Sequence, residues 1–120
     1  MKRPRRLRRS ALALVGLIAA VIAMPVLACE TIHFKRGTYS ATVRGVAPAD
    51  DLVCYQMATG PSQQMSLRLS GRNVIFSVDN VIEGQNEYSF ITEKRTYRIS
   101  VSQLMRSMTD QPFTLFVSVR

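Results

Sequence analysis

The chain has 120 residues, 47% hydrophobic and 20% charged, with a formal net charge of +8 and two cysteines. That length excludes a multidomain enzyme, a repeat array and a polytopic membrane protein. The charge is placed unevenly: six of the sixteen basic residues (Lys2, Arg3, Arg5, Arg6, Arg8 and Arg9) lie in the first nine positions, and all eight acidic residues follow Ala28, so residues 29–120 carry only +2. The basic character belongs to the leader and gives no support for nucleic-acid binding by the rest.

Basic residues up to Arg9, an apolar run from Ala11 to Ala23 and then Met24-Pro25-Val26-Leu27-Ala28 have the three-part build of a signal peptide over residues 1–28. Val26 and Ala28 supply the small residues that signal peptidase requires, so cleavage after Ala28 is expected, leaving one domain of residues 29–120 without a membrane span. The competing reading is an uncleaved anchor, because Ala11 to Ala28 is 18 uncharged residues and a spanning helix needs roughly 20. Pro25 and the small residues beside the site favour cleavage. The domain is then periplasmic or secreted.

Cys29 follows directly and has two readings. Val26-Leu27-Ala28-Cys29 is close to a lipobox, which would make Cys29 the lipid-bearing first residue of a lipoprotein. Against this, a strand-like segment begins at Thr31 and leaves no flexible tether between lipid and fold. The other reading pairs Cys29 with Cys54, since an even cysteine count in an oxidising compartment is most simply a disulfide. Closing that loop restricts the unfolded chain by roughly 3 kcal/mol, a useful share for a small domain.

From Thr31 onward, apolar residues recur at every second position in short runs cut by turn residues, the mark of half-buried strands. Thr31 to Phe34, Tyr39 to Val43 and Leu52 to Met57 come first. Met65, Leu67 and Leu69 then alternate with Ser66, Arg68 and Ser70, and Val74, Phe76 and Val78 follow the Gly71-Arg72-Asn73 turn. Tyr88 to Ile91, Tyr97 to Val101 and Phe113 to Val119 complete about eight strands. The spacing predicts an all-β fold, an antiparallel β-sandwich of jelly-roll type. Breaks fall at Ala47 to Asp50, at Glu83-Gly84-Gln85-Asn86 and at Thr109 to Pro112, and Leu104 to Met108 reads equally as a helical turn or a loop.

The chemical inventory is poor. His33 is the single histidine and reads as a solvent-facing strand residue; Asp50-Asp51 has the look of turn chemistry, and calcium needs six or more oxygens that no acidic loop here supplies. No nucleophile-base pair, metal-ligand spacing or phosphate-cradling glycine loop is present. The residues predict a binding protein rather than an enzyme, with no cofactor, metal or catalytic residue. A carbohydrate platform lacks support in a chain without Trp.

Several stretches together resemble the periplasmic inhibitors of invertebrate-type and goose-type lysozymes, small exported β-sandwiches related in architecture to prepeptidase C-terminal domains. Phe34-Lys35-Arg36-Gly37 with Ala41-Thr42-Val43-Arg44-Gly45 looks like the family's opening strand, glycine turn and second strand. Gln64 to Leu69 and Asn73 to Val78 resemble the strands that follow. Tyr97-Arg98-Ile99-Ser100-Val101, through Leu104-Met105-Arg106, to Phe113 to Val119 is similar to its last two strands and their connecting loop. The resemblance implies inhibition of a lysozyme-like peptidoglycan hydrolase by a loop that enters its cleft. In the family that loop has a Ser-Gly-x-x-Tyr-like motif; the corresponding stretch is Glu83-Gly84-Gln85-Asn86-Glu87-Tyr88, with Glu83 in place of Ser and one extra residue before the Tyr. Glu83, Gly84, Gln85, Asn86 and Tyr88 are thus the expected target-binding loop, with Tyr88 as its aromatic anchor. The alternatives are a non-catalytic accessory sandwich that binds an envelope component or another exported protein, and a small lectin-like module.

Overall fold

The period-two patterning becomes nine strands among the described residues. In chain order they are β1 (Glu30–Thr31), β2 (Ser40–Ala47), β3 (Val53–Thr59), β4 (Gln64–Gly71), β5 (Val74–Val78), β6 (Ile82–Gln85), β7 (Glu87–Ile91), β8 (Arg95–Gln103) and β9 (Gln111–Val119). The structure, a computed structural model, describes residues 28–120; the signal peptide and its anchor alternative concern a segment that, Ala28 apart, lies outside the described residues. Among the described residues no helix is long and apolar enough to cross a membrane.

The strands form two sheets, a five-stranded one in the order β1-β3-β8-β5-β6 and a four-stranded one in the order β2-β9-β4-β7. Their facing sides hold one apolar cluster. Tyr97, Ile99 and Val101 of β8 and Val74, Phe76 and Val78 of β5 meet Met65, Leu67 and Leu69 of β4 and Phe113, Leu115, Val117 and Val119 of β9, all buried. The residues between them in sequence face outward, as a strand's alternation requires. Two central strands, β8 and β9, each lie between two partners, and they carry the most regular alternation in the sequence.

Two expectations are corrected. Strand β2 runs on through Gly45 to Ala47 instead of ending at Val43, paired throughout with β9 from Ser40↔Ser118 to Ala47↔Gln111. Gly45 interrupts the apolar pattern for a packing reason: a Cβ there would lie 2.6 Å from Phe113 Cζ and 2.8 Å from the Tyr55 hydroxyl. The absent side chain makes room for Tyr55 and Phe113, whose rings meet edge to face at 6.4 Å. Burial, reinforced by the Glu30 carboxylate, pushes the Tyr55 phenol above its usual value of 10.0. Secondly, the sandwich is not wholly antiparallel, because β1 pairs in parallel with β3, Glu30↔Tyr55 and Thr31↔Gln56. Parallel neighbours need a crossover, and β2, which belongs to the opposite sheet, provides it.

Cys29 and Cys54 are joined, with Cα atoms 4.6 Å apart across a separation of 25 residues. The bond fastens the two-residue strand β1 to β3, a pairing too short to hold by its own hydrogen bonds. It also occupies the sulfur that the lipoprotein reading of Cys29 needs, and the disulfide reading stands in its place.

Candidate interaction surface

The stretch expected as a protruding loop is a corner between two edge strands. Glu83, Gly84 and Gln85 belong to β6, at one edge of the five-stranded sheet, and Tyr88 to β7, at one edge of the other; Asn86 alone joins them. The register between β5 and β6 shifts, with Phe76↔Gln85 and Val78↔Ile82, so that one extra residue is accommodated on β6. Gly84 sits in that bulge at φ +64°, the left-handed position that glycine fills without strain, and its N–H donates to the Ser77 hydroxyl at 3.1 Å. The Asn86 carbonyl accepts the Leu69 N–H at 2.8 Å. Strand pairing therefore consumes the backbone groups that a free loop would leave to water.

Tyr88 is turned toward the sandwich. It lies opposite buried Leu67 in the β4–β7 register, packs against the core and stacks on Phe90 at 6.1 Å, which in turn meets Tyr97 at 5.2 Å. Its ring closes the edge of the core. The side chains of Glu83 and Asn86 remain exposed.

A different segment projects. Between β8 and β9 the chain from Leu104 to Asp110 forms bends without a helix, and it carries three of the exposed large hydrophobic residues: Leu104 at 62%, Met105 at 70% and Met108 at 97% exposure. Arg106 stands among them, exposed, and the one ion pair among the described residues is elsewhere, between Arg98 and Asp79. Polar side chains hold this loop. Asn73, at φ +56° in the β4–β5 turn, donates from its amide to the Met105 carbonyl at 2.7 Å and accepts the Met105 N–H at 2.8 Å. Its own carbonyl accepts the Leu104 N–H at 2.9 Å. From below, the Gln103 amide donates to the carbonyls of Ala47 and Thr109, and the Ser107 hydroxyl donates to Gln103 Oε1 at 2.7 Å.

The register puts the two segments at one end of the molecule. Val74 faces Gln103 in the β5–β8 pair, and Phe76, two residues along β5, faces Gln85. The loop 104–110 thus stands at the tip of the sandwich and the Gln85-Asn86 corner on its flank, one strand beyond β5. Asp50 and Asp51 line a depression of about 350 Å³ beside Arg106. His33 lies elsewhere, exposed just past β1 in a groove of about 520 Å³ shared with Phe34 and Tyr39. Among the described residues no three His, Cys, Asp or Glu side chains gather where one metal ion could bind.

The sequence held a faint sign of the projecting loop. Leu104-Met105 and Met108 break the alternation in a segment otherwise made of turn residues, but period-two counting cannot tell an apolar residue turned outward from one tucked beneath a loop.

No family profile matches the sequence, and no curated protein matches it significantly. Solved structures do. The crystal structure of PliG from Aeromonas hydrophila, a periplasmic inhibitor of g-type lysozyme, superposes with a TM-score of 0.68 at 22% identity, over 77% of this chain and 96% of that one. The fold is that of the PliG inhibitors. PliG of Salmonella Typhimurium matches at TM-score 0.60 and 15% identity, over 75% of this chain and 96% of its own. A PliG mutant from Escherichia coli matches at 0.63 and 14%, over 76% and 96%. The resemblance read from the strand segments therefore holds for the architecture, and the match spans nearly the whole of each PliG chain.

Proposed function

We propose that the protein is an exported inhibitor of a lysozyme-like hydrolase and that it presents the loop end of its sandwich to the enzyme's cleft. The observation that carries the reading is the pre-formed loop 104–110: a PliG-like sandwich holds Leu104, Met105 and Met108 in solvent around Arg106, which makes no ion pair among the described residues. A loop already fixed by the side chains of Asn73, Gln103 and Ser107 loses little conformational freedom on binding. Glycosidase clefts carry a pair of carboxylates, and a guanidinium rimmed by apolar side chains complements a carboxylate between apolar walls. Glu83, Gly84, Gln85 and Asn86 form a secondary contact on the flank in this scheme, and Tyr88 supports them from within. The disulfide and the periplasmic setting of the PliG proteins support export to the periplasm or beyond, with no catalytic residue required.

The flat lie of residues 83–88 favours the second reading, an accessory sandwich that binds an envelope component. Lysis of cell-wall suspensions by goose-type, invertebrate-type and chicken-type lysozymes, with and without the exported protein, separates the two. Inhibition of one type at micromolar concentration or below is expected. Inhibition of none leaves the accessory sandwich.

A further inference from the structure

Methionine is normally a core residue, and Met57 and Met65 are buried here, at 5% and 0% exposure. Met105 and Met108 are the opposite case. Both thioethers stand in solvent on a loop whose backbone is tied at both ends, by Asn73 at Met105 and by Gln103 and Ser107 at Thr109, so neither is carried into the core by a simple rearrangement. With Leu104 they form an exposed apolar surface at the tip, so a change in their polarity alters what the tip can bind.

We propose that Met105 and Met108 are a reversible oxidation site that switches off the binding end of the protein. The inference rests on the reading of loop 104–110 as the binding element. The co-reactant is hydrogen peroxide. A thioether sulfur lone pair attacks the distal peroxide oxygen, the O–O bond breaks as the S–O bond forms, and with proton transfer the peroxide leaves as water. Sulfur loses two electrons and the peroxide gains them. The sulfoxide that results is polar and chiral in place of a flexible apolar chain, and burying it against apolar cleft walls leaves an oxygen without a partner. Methionine sulfoxide reductases, one for each sulfoxide epimer, restore the thioether with a dithiol as reductant: sulfur regains two electrons, the oxygen leaves as water and the dithiol closes to a disulfide.

The test treats the exported, disulfide-bonded protein with dilute hydrogen peroxide and follows it by peptide mass mapping and by lysozyme inhibition. Sulfoxides are expected at Met105 and Met108 well before Met57 and Met65, with inhibition at least tenfold weaker and recovered after treatment with both reductases. The double variant Met105→Leu with Met108→Leu, compared with its own untreated form, is expected to lose no inhibition on peroxide treatment. Full inhibition by protein oxidised at both positions overturns the switch, and so does equal loss of inhibition in the leucine variant. Oxidation of Met57 or Met65 first overturns the site. If the untreated protein inhibits no lysozyme, the proposed function falls and the regulatory role falls with it, while the mass map still decides whether the loop is the preferred site of oxidation.

Discussion

The corner at Asn86 and the loop from Leu104 to Asp110 lie near one end of the same sandwich and are built in opposite ways. At the corner, ladder hydrogen bonds hold the backbone and the large side chain, Tyr88, turns inward to stack on Phe90. In the loop, side chains hold the backbone and the large residues turn outward. The difference shows that protrusion follows from where the backbone polar groups find partners. A segment that joins two edge strands satisfies them in the ladders and is pinned flat; one that leaves both central strands cannot, and stands clear only because Asn73 and Gln103 reach up to it.

The largest expected effect lies outside both regions and sets the scale. Cys54→Ser removes the bridge to Cys29 and should cost about 2 to 5 kcal/mol, lowering the melting temperature by roughly 10 °C or more in a domain of this size. Two alkylatable thiols in the native protein would show that no bridge forms.

Tyr88→Ala tests the corner directly. Truncating a ring that packs against the core but is not fully enclosed should cost about 2 kcal/mol in urea or thermal unfolding, less than full aromatic truncation in a core. Met108→Ala, in the loop, should change stability by no more than about 0.5 kcal/mol. The contrast between the two regions breaks down if Tyr88→Ala leaves the melting temperature unaltered and abolishes inhibition, because Tyr88 would then act as an anchor toward the target.

Asn73→Ala sharpens the other side. Losing both side-chain bonds to Met105, at a residue with positive φ, should cost about 1 to 2 kcal/mol. Amide hydrogen exchange should speed up at Leu104 and Met105 while β7 keeps its protection. Uniform loss of protection would mean that the loop and the corner open together.

The smallest effect is an alkaline one. The Tyr55 phenol has a higher pKa folded than unfolded, so its neutral form is common to both states below pH 10 and its contribution is complete there. As pH rises past 10 the unfolded chain loses that proton more readily and stability falls. Tyr55→Phe, although it removes only the hydroxyl, should flatten this fall in denaturation curves taken at successive pH values. An unchanged slope would place the alkaline sensitivity elsewhere.

The strands themselves were legible because strand patterning is local. Met65-Leu67-Leu69, Val74-Phe76-Val78 and Phe113-Leu115-Val117-Val119 each announce one buried face within a few residues, and two cysteines in an exported chain announce a bridge. Gly45 misled the pattern, since the reason for a glycine there is the approach of Tyr55 and Phe113 from two other strands. Strand β6 was missed for a related reason: Ile82-Glu83-Gly84-Gln85 has the composition of a turn, and it becomes a strand only because the open edge of β5 offers it partners. The direction of Tyr88, the parallel pairing of β1 and the outward stance of Met105 and Met108 belong to the same class. Each depends on a group 20 or more residues away in sequence, Leu67 for the ring, Tyr55 and Gln56 for β1 and Asn73 for the loop. Local alternation fixes which side of a strand is apolar; which strand lies across from it, and whether a polar side chain arrives to hold a loop in water, is decided when the two sheets close.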